Sequence, residues 1–401
     1  MYRGATLRLL ILHKPLTLTH VDLTMSADFR HILALTAISG IGPAIIRQLL
    51  TTFGRVDDIV HATPADLPTP NTTLANALKN IPANLPDALQ YADSQIDTAR
   101  RYGIKTISIT DADYPRRLAA IPDAPLTLFV KGDVNFETAK TLAVVGTRKP
   151  SDEGRTLCQG LISDLCRRHP DIIIVSGLAF GVDVTAHRAA LSTGRPTVAV
   201  VAHGLNTIYP AQHRDVAAKI SHAGAVVSEF PFCTQPEAYN FVSRNRIIAG
   251  LADATLIVES AVKGGSLITT RYAFDYDRQV LAVPGFPGRE LSAGCNDLIK
   301  RNVATLVESA DDVDAALSWD VPMAVRRAQE AQQATPSLFA QPQGPEQVAI
   351  VNALRSEDGL TASGICQRTH LNIQSVNVAL LNLEFAGIVK SLAGNSYRLL
   401  I

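Results

Sequence analysis

Thr141-Leu142-Ala143-Val144-Val145-Gly146-Thr147-Arg148 decides the fold. Its apolar run is continuous rather than alternating, as in a strand covered on both faces, and it breaks at a glycine followed by a hydroxyl and a cation. Comparable runs recur at residues 172–175, 198–201, 225–227, 254–258, 280–283 and 305–307, with helix-like stretches at 152–168, 182–192, 212–222, 240–250 and 266–276. This alternation predicts an α/β fold, Rossmann-like and doubly wound around a mostly parallel sheet. In such a sheet anions bind just past the carboxyl ends of the strands, where backbone N–H groups and helix dipoles point.

Three turns at that rim carry suitable chemistry. In Val145-Gly146-Thr147-Arg148 the glycine, lacking Cβ, is expected to let a ligand approach the backbone, with the planar fork of Arg148 beside it. Ser243-Arg244-Asn245-Arg246 sets two guanidinium groups around an amide, near Phe241. Cations beside an aromatic face are what hold a sugar–phosphate strand and stack a base, although salt bridging at a helix end is the plainer use of the same arginines. Lys263-Gly264-Gly265-Ser266-Leu267 opens a helix, so freed amides and the Ser266 and Thr269 hydroxyls predict an anion nest. This is no Walker A loop, and no Gly-x-Gly-x-x-Gly follows the first strand, which weighs against ordinary dinucleotide binding. The unifying expectation is that Arg148, Arg246 and Lys263 converge on one rim.

Catalytic groups are sparse. Asp183 and His187 share a helix face after Ser176-Gly177-Leu178-Ala179-Phe180-Gly181 and invite an acid–base reading, but no nucleophile sits in a recognisable elbow and the aspartate can equally cap the helix. Glu259, at the end of a strand, is the other candidate acid, and one carboxylate without a partner supports little chemistry. No catalytic residue, metal site or cofactor is therefore assigned.

With 401 residues and 47% apolar content the chain can fill two or three domains, and its formal net charge of zero means that a polyanion site must come from local clustering of cations. The five cysteines form no C-x-x-C pair, which argues against zinc and for reduced thiols in a cytoplasmic protein. No apolar run approaches the roughly 18–20 residues that span a bilayer, so no membrane partner is expected.

Flanking the main domain (101–319), residues 1–24 are expected to be a disordered extension ahead of Met25, and residues 25–100 a small helical domain. Within the latter Gly40-Ile41-Gly42-Pro43 suggests a helix-hairpin-helix (SAM-like) turn, and prolines at 64, 68, 70, 82 and 86 predict only short helices beyond residue 55. Short strands are expected at 106–110 and 126–131. Residues 320–345, rich in Ala, Gln and Pro, read as a linker. Helices at 347–354, 361–368 and 373–386, then two strands with a Gly394-Asn395 turn, give winged-helix order over 346–401. That last segment balances Arg355, Arg368, Lys390 and Arg398 against Glu346, Glu357, Asp358 and Glu384, and its third helix offers Gln374, Asn377 and Asn382 but no arginine to reach guanine.

Taken together, the motifs resemble those of the DNA-processing protein A (DprA/Smf) family from about Phe29 onward. The ordered matches include Gly40-Ile41-Gly42-Pro43, Asp113-Tyr114-Pro115, Val145-Gly146-Thr147-Arg148, Ser176 to Asp183 with His187, Tyr209-Pro210, Ser228-Glu229-Phe230-Pro231, Arg244-Asn245-Arg246, Gly265-Ser266-Leu267, Val283-Pro284-Gly285 and Asn296-Asp297-Leu298. The resemblance implies a non-enzymatic homodimer that binds single-stranded DNA during transformation and loads a RecA-type recombinase onto it. It further implies that Gly146, Thr147, Arg148, Ser176, Gly177, Phe241, the Arg244–Arg246 stretch and the Lys263–Leu267 loop line the DNA pocket. Where relatives often carry lysine, this chain has Ala211, Gln212, His213, Thr234 and Gln235, which implies weaker and less salt-sensitive binding. The alternative from another class is a nucleotide-binding enzyme of the phosphoribohydrolase type using Glu259, although the proline and helix glutamate of that motif are missing here.

Overall fold

The computed structural model describes residues 27–137, 140–319, 344–356, 359–386, 388–392 and 396–400. The extension at 1–24, the linker up to residue 343 and the Gly394-Asn395 turn lie outside these. The chain divides into two compact units at Trp319.

The first unit opens with helices α1 (Ala27–Ala37), α2 (Pro43–Phe53), α3 (Val56–His61) and α4 (Thr72–Arg101). Gly40 makes the turn between α1 and α2 with φ of 82°, and Pro43 starts α2 where its missing N–H has no intrahelical partner to lose. The expectation of short, proline-broken helices is corrected by α4, which runs unbroken through Pro82 and Pro86. Each interior proline costs about 3 kcal/mol, but Leu74, Leu78, Ile81 and Ile96 are all buried along one stripe, each contributing about 1.5–3 kcal/mol, and the stripe is continuous only if the helix is.

A nine-stranded sheet follows, built from β1 (Lys105–Ser108), α5 (Arg116–Ala119), β2 (Thr127–Gly132), β3 (Lys140–Gly146), α6 (Asp152–Arg168), β4 (Ile172–Ser176), α7 (Val182–Ser192), β5 (Thr197–Val200), α8 (Arg214–Ala223), β6 (Ala225–Ser228), α9 (Ala238–Leu251), β7 (Ala254–Val258), α10 (Ser266–Asp275), β8 (Gln279–Ala282), α11 (Glu290–Lys300), β9 (Thr305–Leu306) and α12 (Ala310–Leu317). The strand order is β1-β2-β6-β5-β4-β3-β7-β8-β9, parallel from β6 through β9, with β1 and β2 added antiparallel along one edge. The continuous apolar strands are explained by two cores. Ala143, Val145, Ile173 and Val175 face a core shared with α9 and α10, while Leu142, Val144, Ile172 and Ile174 face one shared with α6, α7 and α12. The helical layer docks through aromatic edges, Phe29 of α1 against Phe129 of β2 at 5.6 Å, and Phe129 against Phe232 at 5.4 Å.

The second unit comprises α13 (Pro345–Ser356), β10 (Leu360–Thr361), α14 (Ala362–Thr369), α15 (Ile373–Phe385), β11 (Val389–Leu392) and β12 (Ser396–Leu399), with sheet order β10-β12-β11. Ile350, Leu354, Ile365, Val376, Leu380 and Leu383 close its own small core. This is the winged-helix topology that the sequence predicts.

Candidate functional site

The chain winds from β3 outward to β6, then crosses back through α9 to β7 on the other side of β3. The carboxyl ends of β3 and β7 therefore part at the topological switch point, where open α/β sheets bind ligands. A cleft of about 530 Å³ lies there, lined by Thr147 and Arg148 after β3, by Phe241, Arg244 and Asn245 of α9, and by the Ser260–Ser266 turn after β7.

The loop carrying Arg148 is fixed locally. Thr147 donates its N–H to Glu259 O at 2.8 Å and accepts at its carbonyl from Val182 N at 3.2 Å. The Glu259 carboxylate accepts from both Ser151 N (2.8 Å) and Ser151 Oγ (2.5 Å), holding the first turn of α6, and Gly154 leaves the room it needs. Gly181, with φ of 81°, packs so closely on the Thr147 and Arg148 backbone that no Cβ fits.

On α9 the cleft-facing residues are Ala238, Phe241, Val242, Asn245 and Ile248, one stripe of a 3.6-residue period. Arg244 sits at the base, 3% exposed, donating from Nη1 to Gly177 O at 2.7 Å and to Val200 O. Burial pulls its pKa down to about 10, against the pull of Asp183, so it remains a cation at neutral pH. The Asp183 carboxyl is pushed up by its own burial, with Arg244 opposing. Arg148 is exposed, and its guanidinium carbon lies 5.7 Å from the Phe241 ring centroid. At the opposite wall the positive end of the α10 dipole points into the cleft. In that turn the amides of Gly264, Leu267 and Ile268 bond within the turn itself, so its capacity for an anion rests on the Gly265 and Ser266 amides.

Several predicted site residues are elsewhere. Arg246 points away from the cleft, paired with Glu229 at 2.6 Å and Asp123 at 3.7 Å, because two residues along a helix from Arg244 is the opposite face. The expected convergence thus fails for Arg246, which is ion-paired, although from the middle of α9 to distant acids rather than at a helix end. Lys263 is exposed outside the lining, although its loop contributes to it. Leu267 packs into the core under β7, and Ser176 is fully buried, donating Oγ to Val144 O at 2.6 Å. Gly177 lies beneath the cleft, where a Cβ would strike Arg244 and Asp183. Gly146, by contrast, does line the cleft, and the space a Cβ would take there is filled by Val258 O and the Val182 side chain, so this glycine also serves close strand–helix packing. His187 makes no pair with Asp183. It is fully buried, with Nδ1 2.7 Å from Thr197 Oγ1, and burial lowers its pKa to about 3. Sequence reasoning missed Val242, Ile248 and Ser260, of which the first two were within reach of the helical period through Phe241 and Asn245.

A profile of the family described as DNA recombination-mediator protein A matches residues 105–318, and one for the DprA winged helix domain matches residues 329–395. The chain belongs to the DprA/Smf family. Protein Smf of Escherichia coli is 36% identical over 292 residues, an alignment covering 71% of this chain and 75% of the relative. DNA processing protein DprA of Streptococcus pneumoniae is 40% identical over 214 residues, covering 53% and 74%. The X-ray structure of the S. pneumoniae protein superposes with a TM-score of 0.60 at 32% identity, covering 73% of this chain and 98% of that one. The DprA/Smf profile spans every strand of the sheet and all the elements that line the cleft.

Proposed function

We propose that this DprA/Smf chain binds single-stranded DNA in the switch-point cleft and delivers the strand to a RecA-type recombinase, without catalysing a reaction itself. The observation that carries the reading is one buried and one exposed guanidinium, Arg244 and Arg148, set beside the Phe241 face at a helix N-terminus. Charge-assisted bonds to phosphate and base–aromatic stacking are the two components of sequence-tolerant single-strand binding. The recombinase partner is supported by the family description as a recombination mediator, and the homodimer by resemblance alone. A cytoplasmic location agrees with five unpaired cysteines.

The phosphoribohydrolase alternative needs a free carboxylate, and Glu259 is already engaged by both donors of Ser151. Arg148→Ala should weaken binding of a 20-mer oligothymidine more than tenfold by fluorescence anisotropy and reduce the salt slope by about 1. Unchanged affinity across a salt titration would overturn the reading, as would base release from AMP-type substrates that disappears in Glu259→Gln.

A further inference from the structure

Phe241 is one part of a longer run of exposed aromatic surface. Its ring meets Tyr209 at 5.6 Å with the planes 53° apart, in addition to its contact with Arg148. Tyr209 is 47% exposed. Phe180, 43% exposed, rests edge-on against His213 at 4.8 Å, four residues beyond Tyr209. Arg148, Phe180 and Tyr209 stand on the loops that follow β3, β4 and β5, three neighbours in the sheet. At about 4.8 Å between strands this arc covers about 10 Å, room for roughly two or three bases at a 3.4 Å rise.

The shelf is held in place before any ligand arrives. Tyr209 donates its N–H to His203 Nε2 at 3.2 Å, and His203 Nδ1 lies 3.0 Å from Gly204 O, an arrangement that fixes a neutral ring. His213 Nδ1, 2.8 Å from Leu178 O, joins the Tyr209 loop to the Phe180 loop. A large ring left half in water on a tied-down backbone has few uses except to be covered, and what adjoins it here is the cleft that Arg148 and Arg244 line.

We infer that Tyr209, with Phe180 beyond it, is a base-stacking subsite for the strand as it leaves the cleft over Phe241. The inference rests on the single-strand reading and adds to it a direction and a second point of contact with bases. Stacking depends on the base and the cleft depends on the phosphate, so the two separate on an oligonucleotide without bases. Tyr209→Ala should bind a 20-mer oligothymidine about tenfold more weakly than the unaltered protein, yet match it on an abasic 20-mer, and Tyr209→Phe should behave as the unaltered protein on both. Equal loss on both oligomers would show a collapsed loop and overturn the subsite, and no loss on oligothymidine would overturn it in favour of a protein contact. If the unaltered protein binds neither oligomer, the single-strand reading itself fails and the subsite with it.

Discussion

The rim of the large sheet and helix α15 of the winged unit both have the placement of a nucleic-acid reader, and they are made of different materials. At the rim, two guanidinium groups, a helix N-terminus and three exposed or half-exposed rings meet within one cleft and its margin. On α15 the exposed positions include Ile373, Gln374, Asn377, Val378, Leu381 and Asn382, with Val378 and Leu381 62% and 54% exposed and no cation among them. Most affinity for a polyanion comes from neutralising phosphates, which α15 cannot do. The difference teaches that winged-helix topology alone does not assign a ligand, since function lies in the side chains grafted on a fold.

The comparison can be pressed hardest with acid. His187 of α7 is fully buried in the unit that carries the rim, and its pKa falls from 6.5 to about 3 because burial disfavours the charged ring. Above pH 6.5 the ring is neutral folded or unfolded and contributes nothing. Below it the unfolded chain takes up a proton that the folded one refuses, so stability should fall by about 1.4 kcal/mol per pH unit down to about pH 3. The urea midpoint followed by fluorescence of Trp319, the single tryptophan, reports this unit alone. His187→Gln should flatten the dependence, and an unaltered slope would place the acid sensitivity elsewhere.

A smaller effect separates Arg246 of α9 from Arg148 of the cleft. Arg246→Ala strands Glu229 with most of its surface covered, and should destabilise by about 3 kcal/mol in chemical denaturation. Oligothymidine affinity, measured where the variant is folded, should stay within twofold. A tenfold loss there would return Arg246 to the binding surface and blur the contrast with Arg148. The smallest change is expected from removing residues 320–401, which should shift oligothymidine affinity by less than twofold; a larger loss would mean that the winged unit contributes to strand binding after all.

How far the sequence could be read follows from the range of the interactions. The parallel strands of the sheet centre were legible because burial on both faces leaves an uninterrupted apolar run, as in Ile172–Val175, whereas the edge strand β9 is exposed at both Thr305 and Leu306. Helix α4 was not, since a local rule about Pro82 and Pro86 was outweighed by burial visible only in the packed structure. Within Arg244-Asn245-Arg246 the charge pattern was plain, but the assignment of each arginine required the helical period and the acids at 123 and 229, which are far away in sequence. Tyr209 was quoted only as part of a turn, since nothing along the chain announces that its ring reaches Phe241.

Glu259 shows what such distant partners accomplish. Its carbonyl grips Thr147 and its carboxylate grips Ser151, so a single residue buckles both ends of the short loop on which Arg148 rides. In the proposed binding mode an arriving phosphate finds the main chain already ordered, and only one side chain is left to immobilise, at roughly 2 kcal/mol of conformational entropy rather than the 1–2 kcal/mol for every residue of a slack loop. A carboxylate that looked like a reagent turns out to be a fastening, and its contribution to capture is the disorder it has already removed.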